Sequence, residues 1–190
     1  MSRVPELQTL RLALRAFTLD DVLAVVRFAG SRKVYDTTLV IPNPYTEQHA
    51  IDWISGHGAE TASDTADARF DWAVTNRETD ELIGAIGLSI RAVHERAEMG
   101  YWIGPPFWNR GFATEATVAV IRCGFETLGL NRIYADHFDR NPASGRVLQK
   151  AGMRLEGTLR NHYKKDGRYC DSDLYAILRS DVDATIGRAH

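Results

Sequence analysis

The stretch from Glu98 to Glu115, EMGYWIGPPFWNRGFATE, places a carboxylate, two prolines, a glycine turn and the start of an apolar-striped helix in one short run. That order suits the capture of an anion. Tyr101, Trp102 and Ile103 have the aromatic and β-branched character of a strand, and Pro105 and Pro106 cannot donate the ladder bonds that would extend it. Gly111 permits a backbone conformation or a close approach that a side chain would block. Good helix formers follow from Thr114 to Leu128, with Val118, Ile121, Phe125 and Leu128 on one stripe. The free N–H groups at such a helix start attract phosphate. A lone glycine can also do no more than turn a strand into a helix, so the motif needs context. NRGFAT lacks the Gly-Lys-Ser/Thr ending of a nucleoside-triphosphate loop, and no Gly-x-Gly-x-x-Gly follows a strand, which disfavours nucleotide hydrolysis and dinucleotide binding.

The elements that must position this stretch can be read from periodicity. Thr9 to Arg15 alternates, placing Leu10, Leu12 and Leu14 on one strand face. Thr18 is expected to cap a helix carrying Leu19, Val22, Leu23, Val26 and Arg27 that ends near Gly30. Pro42 to Pro44 reads as a loop, and Thr46 caps a second helix through Ile51, Trp53 and Ile54 that stops at Gly56-His57-Gly58. Ala59 to Ala68 is small, polar and acidic, which predicts a mobile surface loop whose charge could also attract a cationic substrate. Strands are predicted over Arg69–Thr75, Glu81–Arg91 and Ala97–Ile103, forming an antiparallel meander. Ile133–Phe138 is a further strand, Pro142–Ala151 a helix closed by Gly152, and Met153–Leu159 with Leu174–Leu178 the last two strands. Helices between the fourth, fifth and sixth strands imply a mixed sheet with helices on its faces, over a single domain spanning residues 1–190.

Composition bounds the function. With 190 residues, 44% apolar and 25% charged, the chain reads as one ordinary globular domain. A formal charge of −2 gives no general drive toward nucleic acid or an anionic membrane. No apolar run approaches the ~20 residues needed to span a bilayer and no leader pattern is visible, so a cytoplasmic location is the default expectation. Cys123 and Cys170 lack disulfide or metal spacing and read as packed thiols; no metal is expected.

Taken with the remaining motifs, Trp108-Asn109-Arg110-Gly111-Phe112-Ala113 resembles the acyl-CoA pyrophosphate loop of the GNAT superfamily of N-acetyltransferases, whose loose pattern is Gln/Arg-x-x-Gly-x-Gly/Ala. Trp at the first position departs from that pattern and is similar to the branch of ribosomal-protein alanine and serine N-acetyltransferases. TLRLALRAFTLDD, ELIGAIGL, EMGYWIGP, NPASGRVLQKAGMRLEGTLR and DGRYCDSDLYAIL extend the resemblance over most of the chain. It implies the GNAT fold, a mixed α/β (α+β) architecture with a mostly antiparallel six- to seven-stranded sheet, helices on both faces, and a splay between the fourth and fifth strands that admits the pantetheine arm. It also implies acetyl-CoA as co-substrate, a protein N-terminus or a small amine as acceptor, and makes a homodimer plausible. A non-catalytic acyl-CoA-binding module is the contrasting expectation.

Acetyl transfer to an amine requires an unprotonated amine, a polarised thioester carbonyl and a proton for the departing thiolate. Glu98 begins the strand that leads to the cradle and matches the position of a catalytic glutamate in many GNAT enzymes, which makes it the candidate base, direct or through water. His94 and Glu95 in the preceding turn are alternatives. A backbone N–H in the Tyr101 to Ile103 region is expected to polarise the carbonyl, and N–H groups of Arg110 to Thr114 to hold the pyrophosphate. Arg110 ranks ahead of Arg146 and Lys150 for added phosphate charge. Trp53, Trp72, Trp102 and Trp108 read as core or pocket walls, Trp102 and Trp108 nearest the cofactor.

Asn141 before Pro142 is fully explained as a helix N-cap. The resemblance of NPAS to the family's Asn-x-x-Ser element adds a second role, with Asn141 binding the pantetheine arm and Ser144 protonating the leaving thiolate. Ribosomal-protein members also use a downstream carboxylate, and the matching position is Tyr163, which strengthens the case for Glu98 or water. Of Asp136 and His137 on the fifth predicted strand, alternation sends only one to a substrate channel.

Overall fold

The computed structural model describes residues 4–56 and 67–186. Its sheet runs β1 (Leu7–Gln8), β2 (Leu12–Arg15), β3 (Ala68–Asn76), β4 (Leu82–Arg91), β5 (Arg96–Ile103), β6 (Arg132–Phe138), β8 (Arg168–Leu178) and, at the edge, β7 (Arg154–Lys165). Helices α1 (Val22–Ala29), α2 (Arg32–Tyr35) and α3 (Glu47–Gly56) lie between β2 and β3. Helix α4 (Phe112–Glu126) links β5 to β6, α5 (Pro142–Lys150) links β6 to β7, and α6 (Arg179–Ile186) follows β8. Alternation along β3 builds both layers. Trp72 and Val74 enter one core with Val120, Ile121 and Phe125 of α4, while Ala73 faces the other with Val22 and Val25 of α1 and Ala50 of α3.

Every described neighbouring pair is antiparallel except β5 with β6, which the α4 crossover makes parallel. That pair is in register only at Arg96–Arg132, Ala97–Ile133 and Glu98–Tyr134. Beyond Glu98 the strands part. The expected splay therefore lies where the fourth predicted strand, now β5, meets the fifth, now β6.

Eight strands are present where six to seven are expected, because a short strand, β1, precedes the Thr9–Arg15 segment, of which only Leu12–Arg15 is strand. Thr9 accepts the Leu12 N–H on its hydroxyl at 2.9 Å and donates its own N–H to the Leu12 carbonyl at 2.9 Å. This tight turn throws Leu10 outward, leaving it 86% exposed while Leu12 and Leu14 are fully buried. The final two strands are longer than predicted and meet at a turn where Asp166 and Gly167 have φ of 50° and 77°. β8 is thus an inner strand paired with β6 and β7, and β7 forms the edge of the sheet.

The helix stripes also shift. On α1 the buried face is Val22, Val25, Phe28 and Ala29, with Leu19 and Leu23 exposed; on α4 Val118 is exposed and Val120 takes its place in the core. Helix α2 was not anticipated, being too short to show a period. Thr46 does cap α3, accepting the His49 N–H at 3.3 Å. Most of the predicted Ala59–Ala68 loop lies outside the described residues.

An ion pair between half-buried Arg15 and buried Asp21 fastens α1 to the sheet. Arg15 grips Asp21 through Nη1–Oδ2 at 2.8 Å and Nη2–Oδ1 at 2.9 Å, and the Thr18 N–H donates to Oδ2 at 2.9 Å. Burial pushes the Asp21 carboxyl up, but the Arg15 and Thr18 bonds outweigh it and hold the group below the usual aspartate range. A depressed folded pKa contributes stability above the unfolded value, near 3.8, and loses it as pH falls through the folded value. Arg15→Met is expected to cost about 3 kcal/mol in urea unfolding at neutral pH, because it strands a buried carboxylate. Its deficit should shrink below about pH 4, where Asp21 protonates. A deficit that does not vary with pH would remove Asp21 from the acid response.

Candidate active site

The splay opens a cleft of about 850 Å³. One end is built by the start of α4. Trp108 donates its indole N–H to the Ile103 carbonyl at 2.6 Å, so the aromatic closes the turn that the prolines begin. Asn109 and Gly111 both have positive φ, 61° and 80°. The first backbone bond of the helix runs from the Glu115 N–H to the Gly111 carbonyl, leaving the N–H groups of Gly111, Phe112, Ala113 and Thr114 at the open end. Arg11 locks this turn from behind. Its guanidinium donates to the Arg110 carbonyl at 2.9 Å and to Glu115 Oε2 at 2.7 Å, and lies 4.6 Å from the centre of the Phe112 ring. Burial would raise the Glu115 carboxyl, yet bonds from Thr9 and Arg11 hold it below the usual glutamate range.

Arg110 itself is not a wall of the cleft; the basic side chains at this end are Arg146 and Lys150, both from α5. Helix phase explains the inversion, since Arg110 precedes the helix whereas Arg146 and Lys150 sit one turn apart on one α5 face. A Cβ on Gly111 would stand 3.4 Å from Arg11 Nη2, in a backbone region that branched side chains avoid. Gly111→Val is expected to weaken acetyl-CoA binding by tenfold or more, in line with a strain of about 1–3 kcal/mol at the cradle. Calorimetric titration checks this, and unaltered affinity would remove the cradle from donor binding.

Asn141 occupies the N-cap of α5, but its side chain makes no bond to that helix; only its carbonyl does, accepting the Ser144 N–H at 3.0 Å. Capping therefore does not use the amide, which lines the cleft. Ser144, one turn on, meets the Tyr101 hydroxyl at 2.7 Å across the splay. Burial, only partly offset by this bond, pushes the Tyr101 phenol up to about 12. The Tyr101 side chain thus places a hydroxyl in the cleft, where only its backbone was expected to take part. Strict alternation puts Tyr101, three residues beyond Glu98, on the opposite face of β5, so no sequence periodicity pointed to its hydroxyl.

Glu98 is exposed at the point where β5 and β6 part, with the Tyr134 hydroxyl 3.5 Å from its Oε2. His94 and Glu95 lie in a 3-10 turn and its cap and do not line the cleft. Both Asp136 and His137 do, contrary to the strict alternation expected. His137 is buried with Nδ1 2.8 Å from the Phe138 carbonyl, at the end of β6 where α5 begins and the strand loses its regular sides. Asp136 receives the Tyr163 hydroxyl at 3.2 Å and that of Ser172.

The far wall is the segment 37–42 with Tyr45, His49 and Trp53. Lys165, almost fully buried at the tip of the β7–β8 hairpin, clasps this wall by donating to the Tyr35 and Thr38 carbonyls, with its ammonium 3.7 Å from the Tyr35 ring centre. Among the described residues no group of three His, Cys, Asp or Glu is arranged to hold a metal, and no helix is long and apolar enough to cross a membrane.

Residues 11–154 match the family model for the acetyltransferase (GNAT) domain. The chain belongs to the GNAT acetyltransferases. It is 36% identical over 176 residues to the uncharacterized N-acetyltransferase YoaA of Bacillus subtilis, covering 92% of this chain and 97% of that one. A GNAT-family acetyltransferase from Bacillus anthracis superposes with a TM-score of 0.82 at 25% identity, over 93% and 99% of the two chains. Over 114 residues, 59% of each chain, it is 29% identical to the ribosomal protein uS5 alanine N-acetyltransferase of Escherichia coli. GNAT acetyltransferases use acetyl-CoA, and the residues here fit that donor: a helix start with open N–H groups, two basic side chains beside it and an uncommitted amide at Asn141.

Proposed function

We propose that this GNAT domain acetylates a protein N-terminal α-amine, with the whole of residues 1–190 acting as one acetyltransferase unit. The observation that carries the proposal is the gathering of Glu98, Tyr101, Asn141 and Ser144 around one cleft that continues from the α4 cradle. Bound acetyl-CoA supplies an activated acetyl thioester. The N–H groups of Gly111 to Thr114 hold its phosphates with Arg146 and Lys150, and Asn141 orients the arm. Glu98 removes the proton of the acceptor amine. Ser144 delivers a proton at Oγ to the departing sulfur, and Tyr101, 2.7 Å away, replaces it.

The N-terminal acceptor is supported by chemistry and by likeness. An α-amine is about a tenth neutral at pH 7, against about 0.04% for a lysine amine, so it asks less of its base. The relative that acts on an alanine of ribosomal protein uS5 is consistent with this. Thiol release from acetyl-CoA, measured with N-terminal peptides, polyamines and aminoglycosides, tests the assignment. The highest kcat/KM is expected for a peptide with a free N-terminus. A preference for a polyamine or an aminoglycoside would replace the acceptor, and binding of CoA without turnover on any amine would leave only a binding module.

A further inference from the structure

A second polar cluster occupies the acceptor side of the splay. Asp136, half-buried in β6, receives two hydroxyls: Ser172, fully buried on β8, on Oδ2, and Tyr163, from β7, on Oδ1 at 3.2 Å. Tyr163 and Asp136 line the cleft together with Glu98. The Tyr163 ring is fixed edge-on against Phe138, with centroids 6.0 Å apart, and beside His162 at 4.4 Å. A tyrosine hydroxyl has one proton and two lone pairs. With the proton committed to Asp136, the oxygen offers only lone pairs, and Asp136 behind it makes them more negative. Burial, then the charges of Asp136 and Glu98, hold this phenol protonated well above the usual tyrosine range. Tyr163 is therefore an acceptor of hydrogen bonds at this point and does not serve as a base.

We propose that Tyr163 and Asp136 form the subsite for the cationic head of the acceptor, a primary ammonium, with Tyr163 Oη accepting one of its N–H groups and Asp136 acting as the positioning residue that fixes the hydroxyl. This rests on the acetyltransferase reading given above. The proton balance is simple. The ammonium enters with three N–H bonds and loses one proton to the Glu98 carboxylate, which passes it to solvent, leaving a neutral amine with one of its two N–H groups on Tyr163. As the N–C bond forms and the C–S bond breaks, Glu98 takes a second proton and the Ser144–Tyr101 pair protonates the sulfur, leaving an amide with one N–H. Tyr163 and Asp136 keep their protonation states throughout. A quaternary ammonium has no N–H to give and should be refused, which separates this subsite from a simple aromatic or anionic cage.

The test is calorimetric binding to the CoA-loaded protein, below the amine pKa, of a short peptide with a free N-terminal alanine and of its N-trimethyl counterpart. Wild type should bind the first and not the second. Tyr163→Phe, which leaves Asp136 its Ser172 bond, should weaken the first by about tenfold or more while CoA affinity stays unchanged. Asp136→Asn should give a similar loss, and the double substitution no more than Tyr163→Phe alone. In turnover, both should raise KM for the peptide and leave KM for acetyl-CoA alone. Unchanged peptide affinity in Tyr163→Phe, equal binding of the trimethyl peptide, or a wild type that binds no free peptide would each overturn the subsite. Binding that shows these losses without any thiol release would overturn the acetyltransferase assignment and keep the subsite; turnover indifferent to Tyr163→Phe would do the reverse. Thermal unfolding identifies a variant that fails to fold, and Tyr163→Phe then decides alone.

Discussion

Glu98→Gln is expected to lower kcat by about 10²- to 10⁴-fold, the usual contribution of a positioned general base, while leaving acetyl-CoA affinity unchanged. The substitution preserves shape and removes only the charge. Its cost should not be structural, since Glu98 is exposed and held in the sheet through its backbone registers with Ser89 and Tyr134. If the carboxylate acts on an amine that is already partly neutral, raising the pH toward the amine pKa should recover part of the loss. Rate measurements across pH with a free N-terminal peptide decide the matter. A kcat that stays at the wild-type value would assign the proton to water or to another group.

The second large effect concerns the proton that goes the other way. Ser144→Ala and Tyr101→Phe are each expected to reduce kcat by about 10²-fold, and the double substitution by little more, because one relay cannot be broken twice. A serine alkoxide left without replacement is far less stable than a tyrosinate, so in the proposed relay the 2.7 Å contact with Tyr101 would let Ser144 give up its proton. With the phenol pushed up to about 12, the donor stays loaded and should add no alkaline limb to the rate profile below about pH 10. Additive losses in the double variant would show that the two hydroxyls act separately.

The donor end of the site was the most legible in sequence because its signals are local. Pro105 and Pro106 end a strand, Gly111 takes positive φ, and Asn141-Pro142 opens a helix; each of these is decided within a few residues of itself. What periodicity could not supply was which side chains meet. Tyr101 and Ser144 stand 43 residues apart, and Tyr163 reaches Asp136 across an intervening strand. That reach depends on irregularities in the β7–β8 register between Leu155 and Gly157 and between Leu159 and Tyr163, which break the two-residue repeat that a sequence reading follows. Leu10 leaves its predicted face for a local reason: the Thr9 hydroxyl captures the Leu12 N–H and turns the chain between β1 and β2. The meeting of the Tyr101 and Ser144 hydroxyls and the pairing at Asp136 were therefore visible only once the sheet order was known.

The Lys165 clasp has a consequence for the order in which the molecule is put together. Its bonds to Tyr35 and Thr38 join positions 130 and 127 residues apart, whereas Trp108 to Ile103 spans 5 and Tyr101 to Ser144 spans 43. Closing the longest loop carries the largest entropy cost and cannot be rewarded until both ends of the chain are in place. The 37–42 wall of the cleft is thus expected to be the last part to assemble and the first to open, while the turn at the start of α4, the proposed donor cradle, persists. Amide hydrogen exchange in mild urea should release residues 37–41 well before Tyr101 to Ile103, giving the enzyme a state that has kept its grip on one substrate and lost its shape for the other.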